Sequence, residues 1–551
     1  MLRRRIRLDR MTLLLLAAAA ASPAAPARQT AAASARYEDL LKLFEDWRAF
    51  QKPRLLGGVP DYSSRAMSAQ HAELARYQRR LKAIDASGWS VDRQADWHVV
   101  RAEMNGLDFD HRVLRPWANN PAFYVTVFPD QSDQPAREGP FAYGAVELWS
   151  YTFPLAAADA ARVDAGVKTI PALLEQARTN LVGTQKDIWT FGTKAIQQQA
   201  ADLGQLAGRV ADGPAELKAD VSRAREATQA FAAWLDSQAA TKTAPSGIGV
   251  VNYDWYLKNV QLVPYTWRDE VALMEAELAR SYAFLAFEEK RNEGLPPLAI
   301  VSSPEEHAQR FGAAVTAYMR FLKERDILTV KGYMDPWLRG QIGSFVPGPR
   351  EFFTEVDYRD PEVLRTHGFH WFDKGQMANE PHADPIRRGP LLYNIFNTRT
   401  EGFATAWEET MLQAGMFDAS PRSRELIYIL VAERAARALG DLRMHSNEYT
   451  LEQASAFAAA NTPRDWLRLE MSLVRSEQHL YLQQPAYGTC YLIGKLEAEK
   501  LVAERQRKLG ERFAIRPFMD EFLAAGLIPA SLVRWQISGE LTDDLRKMLQ
   551  P

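Results

Sequence analysis

Apolar residues recur three and four positions apart along most of the chain, the period of an α-helix with one buried face. "YEDLLKLFEDWRAFQ", "AELARYQRRLKAI" and "PAELKADVSRAREATQAFAAWLDSQ" carry this pattern in the first half. "TKTAPSGIGVVNYDW" interrupts it with Pro and Gly near 241 to 252, which predicts a boundary there. An N-terminal helical region, 28–245, would then precede a second helical domain, 246–551. Helical spacing resumes in "TWRDEVALMEAELARSYAFLAFEEKRN" and stops at "EGLPPL". Two short stretches, "DILTVKGYM" and "REFFTEVDYRD", read as strands and predict a small β element near 326–358. The expected fold is mainly α: a large helical protein with that small β element.

Composition narrows the class. With 551 residues, 47% of them hydrophobic, the chain can bury a large core. Lys and Arg number 67 against 69 Asp and Glu, so the basic excess that a nucleic-acid partner requires is missing. Arg3, Arg4, Arg5 and Arg7 precede an apolar run from Met11 to Ala21 and small-residue cleavage patterns. Residues 1–27 therefore read as a secretory signal peptide, and the location as periplasmic or secreted. The apolar run is too short for a permanent span, so no stable membrane span is expected after cleavage, and no Cys follows it to carry a lipid. Cys490 is the sole cysteine, which excludes an intramolecular disulfide and cysteine-based zinc sites.

The chemistry must come from other residues. No nucleophile elbow, phosphate-binding glycine loop, dinucleotide fingerprint or H-E-x-x-H motif is present. Five of nine histidines, however, fall between 367 and 479. Thr398 and Glu401 have the spacing of a helix-capping box, which accounts for Glu401 but not for Glu408. On a helix, Glu401, Thr405, Glu408 and Leu412 lie within about 60° of one another. That stripe is either a solvated edge or the polar floor of a cleft. A second stripe carries Arg434, Arg437, Asp441 and His445, with Asp441 one turn before His445, where it can orient the ring. Its plain alternative is an exposed face with an ordinary Arg437–Asp441 pair. Arg387 and Arg388 can grip a substrate carboxylate, although neighbours in sequence point to different sides of a regular element. Tyr487 and Tyr491, one turn apart, suit either an oxyanion or the packing of a neighbouring helix.

The run from Glu401 through "RAARALGDLRMH" to "PAYGTCYLIGK" resembles the bacterial family catalogued as domain of unknown function 885, whose fold is similar to gluzincin metallopeptidases. The family's Glu-Gly-Trp-Ala-x-Tyr-x-Glu pattern looks like Glu401 to Glu408 here, and its Arg, Asp and His helix looks like Arg434, Arg437, Asp441 and His445. Pro485, Tyr491 and Gly494 resemble its Pro and Tyr-x-x-Gly segment, and "FMDEFLAAGLIPASLV" its closing helix. The resemblance implies a gluzincin-like C-terminal half in which Glu401 ligates zinc, with His367 and His370 as the other ligands and Asp373 behind them. The chain departs from the family at Gly368, where a general-base Glu stands. A base would then come from Asp373, Glu408 or His445, with Tyr491 also at the catalytic centre. Arg387, Arg388, Arg434, Arg437 and Tyr487 would bind substrate. The expected activity is an exported metallopeptidase-like hydrolase cutting an amide bond of a peptide or small peptide-like substrate, with zinc as its one cofactor. The alternatives are a degenerate exported binding or scaffold protein that keeps the cleft, and an enzyme using the carboxylates and His445 without metal.

Overall fold

The computed structural model describes residues 36–550; the expected signal peptide lies outside them. The described chain is mainly α-helical, as its periodicity predicts. The first three long helices are α1 (Tyr37–Phe50), α2 (Ser64–Lys82) and α3 (Val91–Phe109). Each buries the apolar stripe visible in its sequence; on α1 it is Leu40, Leu43, Phe44 and Trp47. After α3 the chain builds a separate lobe around α4 (Lys186–Arg209) and α5 (Ala215–Gln238), with Trp189 and Phe231 in its core. It then returns to the main body, where α6 (Trp267–Arg291) begins behind a capping box of Thr266 and Asp269.

The expected boundary near 241–252 coincides with this return. The region before it is not one packing unit, however. The buried residues of α1 to α3, Met67 excepted, belong to the same core as those of the C-terminal half, whereas the lobe has a core of its own.

The β element lies elsewhere than expected. Residues 326–358 form short helices, Met334–Arg339 and Phe352–Asp357, joined by turns, without a strand. Phe352 and Val356 are both buried at helical spacing, and Ile327 and Leu328 enter the core from a loop. Strands occur instead as β1 (Leu55–Leu56) antiparallel to β2 (Val59–Pro60), and β3 (Val127–Phe128) parallel to β4 (Val146–Glu147).

Five helices position the candidate site: α7 (Pro361–His367), α8 (Phe369–Asn379), α9 (Asn397–Gln413), α10 (Pro421–His445) and α11 (Tyr487–Leu509). α9 packs along α11, and α10 along α6. A Cβ on Gly402 would lie 2.3 Å from the Gly494 Cα, so two glycines let α9 and α11 approach to backbone contact. These are the Glu-Gly and Tyr-x-x-Gly glycines of the sequence pattern; their role is close packing. Among the described residues no helix is long and apolar enough to cross a membrane.

Candidate metal centre

α7 ends at His367 and α8 starts at Phe369, with Gly368 alone at the junction. The break turns the His367 and His370 rings nearly perpendicular, at 83°, with their Nε2 atoms 3.3 Å apart. Glu401 Oε2, from α9, lies 3.1 Å from His370 Nε2 and 3.6 Å from His367 Nε2. A tetrahedral zinc ion with bonds of about 2.0–2.1 Å sets its ligands about 3.3–3.4 Å apart, and the three separations bracket that value. The donor set, two imidazoles and one carboxylate, is that of catalytic zinc with a fourth position left open. The residues fit the ion.

The surroundings orient these ligands. His367 Nδ1 lies 2.9 Å from Glu408 Oε1 and 3.2 Å from Arg434 Nη2; the carboxylate favours the tautomer protonated at Nδ1, which leaves the Nε2 lone pair for the side of His370 and Glu401. Both Glu408 oxygens accept from Arg434, each at 2.8 Å. Glu401 Oε1 accepts from Tyr487 at 2.7 Å, Gln134 at 3.0 Å and Tyr491 at 3.3 Å, which fixes Oε2 toward the histidines. Burial pushes the Glu401 carboxyl up, but the two rings outweigh it and hold it well below the usual range. Burial likewise disfavours the His370 imidazolium, yet the Glu401 and Asp133 charges raise it to about 9. His370 Nδ1 is buried without a hydrogen-bond partner among the described residues, so no polar contact at its far nitrogen orients the second ring.

A cavity of about 330 Å³ opens on this cluster, lined by His367, His370, Glu401, Arg434, Tyr487 and Tyr491. Its other wall is a segment of the N-terminal half. Gln134 accepts from the Thr400 hydroxyl at 2.6 Å while donating to Glu401, and Lys374 donates to the Ser132 carbonyl. Asp133 and Glu138 face the same cavity. Glu138 is raised to about 7, by burial first and by the Asp133 charge second. Asp133, Gln134 and Glu138 are absent from the sequence reading. They sit in "DQSDQPAREGP", an irregular loop without helical period or motif, and their only signal is three acids in a connection that holds Pro and Gly.

The structure thus gathers His367, His370, Glu401, Arg434, Tyr487 and Tyr491, and places the other expected residues differently. Glu401 caps nothing: α9 begins at Asn397, and Thr398 Oγ1 accepts instead from the Ala530 N–H. Glu408 is buried behind His367 with both oxygens occupied, which makes it a positioning residue and removes it as a base. Asp373 is gripped by both terminal nitrogens of Arg399, at 3.0 and 3.1 Å. His445 faces the Tyr481 carbonyl at 3.0 Å in a closed interior, where burial lowers it to about 4. Asp441 accepts from the Gly488 N–H, and burial pushes its carboxyl well above the usual range. Arg437 pairs with Glu433 and Glu477 behind the Tyr491 ring. Arg387 ties Asp96 on α3, at 2.6 Å, to the Ala525 carbonyl, joining the two ends of the chain. Arg388 donates to the His382 and Ala383 carbonyls at the surface. Gly368 is crowded: a Cβ there would meet Leu338 Cδ1 at 2.4 Å, so that side chain would have to shift, and the Arg365 carbonyl at 3.0 Å.

Fold and site together define a mainly α-helical protein with a buried cluster of two histidines and one glutamate. The family model described as "Bacterial protein of unknown function (DUF885)" matches residues 376–537, a span that includes Glu401, Glu408, Arg434, Tyr487 and Tyr491 but begins after the two histidines. No curated protein matches the chain. Two solved structures share the fold. One, described as "a putative lipoprotein of unknown function from Shewanella oneidensis", is 16% identical with a TM-score of 0.66, over 91% of this chain and 98% of that one. The other, described as "the putative lipoprotein from Colwellia psychrerythraea", is 15% identical with a TM-score of 0.59, over 91% and 97%.

Proposed function

We propose that the protein is an exported zinc-dependent hydrolase acting on an amide bond of a peptide or small peptide-like substrate. The observation that carries this reading is the near-tetrahedral spacing of His367 Nε2, His370 Nε2 and Glu401 Oε2 at the wall of a cavity. The leader sequence supports export, and so do the structural neighbours described as lipoproteins. Bound zinc supplies a Lewis acid for the scissile carbonyl and lowers the pKa of a water.

The chain's own groups do the rest. Glu138 accepts a proton from the attacking water at its carboxylate and returns it to the departing amine, a task for which a value near 7 is suited. It replaces the base that Gly368 cannot supply. Tyr487 and Tyr491 act as positioning residues through Glu401 Oε1, and Arg434 through Glu408 and His367.

Metal analysis of the purified chain tests the reading. Wild type is expected to hold about one zinc per chain, and His370→Ala and Glu401→Ala to lose it. Equal metal in all three would remove the site. A chain that takes up no zinc from excess would support the binding or scaffold reading, which Gly368 favours.

A further inference from the structure

The loop that walls the metal cavity also walls a second one. Glu138 lines the first; Arg137 and Gly139 line the second, of about 320 Å³, a size that holds a small organic ligand. The second cavity is mostly aromatic and aliphatic, with Tyr62, Leu107, Trp117, Phe123, Phe141 and Tyr256 in its wall. Only two of its lining side chains carry charge, Asp110 and Arg137, and they are of opposite sign.

Neither has an ion-pair partner among the described residues. Among the described residues no donor reaches the Asp110 carboxylate, and burial pushes it up to about 8. Asp110 opens a π-helical turn, Asp110–Leu114, that continues α3; such turns concentrate at functional sites. Arg137 lies over the Phe128 ring and donates to the Asp130 carbonyl, while its Nε is buried without a partner. At the cavity's edge Tyr393 holds a left-handed backbone, φ 57°, unusual for a bulky residue. A carboxyl without a donor and a guanidinium with a buried, unpartnered Nε, set in a mostly apolar cavity, each leave hydrogen-bonding capacity that a ligand can complete.

We propose that this cavity binds a small zwitterion with an apolar or aromatic body, an α-amino acid or short peptide, its ammonium on Asp110 and its carboxylate on Arg137. The site is separate from the metal cluster, and the proposal does not depend on the hydrolase reading.

Calorimetric titration of the full chain tests it, with L-phenylalanine, L-phenylalanyl-L-phenylalanine and the doubly capped N-acetyl-L-phenylalanine amide as probes. The dipeptide is titrated into Glu401→Ala, so that hydrolysis cannot intervene. At least one zwitterion is expected to bind, with the capped compound about tenfold weaker or more; which zwitterion binds separates amino acid from peptide. Asp110→Asn and Arg137→Gln should each weaken the zwitterion by a similar factor and leave the capped compound unchanged. Equal binding of free and capped probes, or no binding of either zwitterion at millimolar concentration, would overturn the proposal. So would loss of binding in Glu401→Ala, which would place the ligand in the metal cavity. If Asp110→Asn fails to fold, the free-against-capped comparison on the native chain still decides.

Discussion

His367 Nδ1 stands 2.9 Å from Glu408 Oε1, and that contact links the interior of α9 to the candidate metal site. A carboxylate on the far nitrogen fixes the tautomer and raises the basicity of the near one, and losing such a partner typically costs about 10–100-fold in metal affinity. Glu408→Gln should therefore bind zinc that much more weakly in competition with a chelator. Glu408→Ala should also lose about 3–5 kcal/mol of stability, because Arg434 would be left buried without its anion. Unchanged zinc affinity in Glu408→Gln would mean that packing alone orients the ring.

Glu138 gives the reading its kinetic signature. A base must be deprotonated to act, so the rate should fall as pH drops through about 7, the value to which burial and Asp133 raise this carboxyl. Glu138→Gln should lower kcat/KM by about 100-fold or more and abolish that acidic limb, with zinc content unchanged. Asp133→Asn removes one cause of the raised value, so the limb should move to lower pH. A limb at the same pH in both variants would assign the base to another group.

The sequence carried a good part of this site, and its failures have a common cause. Helical spacing brings out Glu401, Arg434, Tyr487 and Tyr491, and the family resemblance adds His367 and His370 by ligand type; all six reach the cavity. The same reasoning applied to Arg437, Asp441 and His445 failed because α10 is buried on nearly every side. Periodicity shows that a stripe is polar, but on such a helix a polar stripe can meet a cavity or a closed network, and the pattern is identical. Glu138 had no pattern to show, since its position depends on how a loop of the N-terminal half lies across α9. Thr398 and Glu401 have cap spacing, but Thr-x-x-Glu also occurs inside helices, and only the observed start at Asn397 separates the two cases.

His445 offers a check on that correction. Its ordinary value is about 6.5 and burial lowers it to about 4 in the fold. Between those values the unfolded chain takes up a proton that the native ring refuses, so stability falls as pH drops, by about 1.4 kcal/mol per pH unit for this group. The neighbouring Asp441, raised by burial, contributes the opposite slope and is shared by variant and wild type. His445→Gln should therefore flatten the fall in urea-measured stability between pH 7 and 5 by up to one proton, and leave zinc content intact. Loss of zinc in this variant would return His445 to the site.

The glycine pair on α9 and α11 couples packing to the ligand geometry. A Cβ on Gly494 would lie 2.0 Å from the Thr398 carbonyl oxygen, and one on Gly402 2.3 Å from the Gly494 Cα, both against backbone that cannot rotate away. Either alanine must push the helices apart, and overpacking of this kind typically costs about 1–3 kcal/mol. The consequence extends beyond stability, because Glu401 is adjacent to Gly402, and Tyr487 and Tyr491 lie on the opposing helix within 2.7 and 3.3 Å of its Oε1. Separating the helices lengthens those bonds and frees Oε2 to turn from the histidines. Gly402→Ala should thus lower both the unfolding midpoint and the zinc affinity, whereas a destabilising change remote from this crossing, such as Leu217→Ala in the N-terminal lobe, should lower the midpoint alone. Equal zinc affinity in the two variants would show that the α9–α11 crossing does not set the ligand geometry.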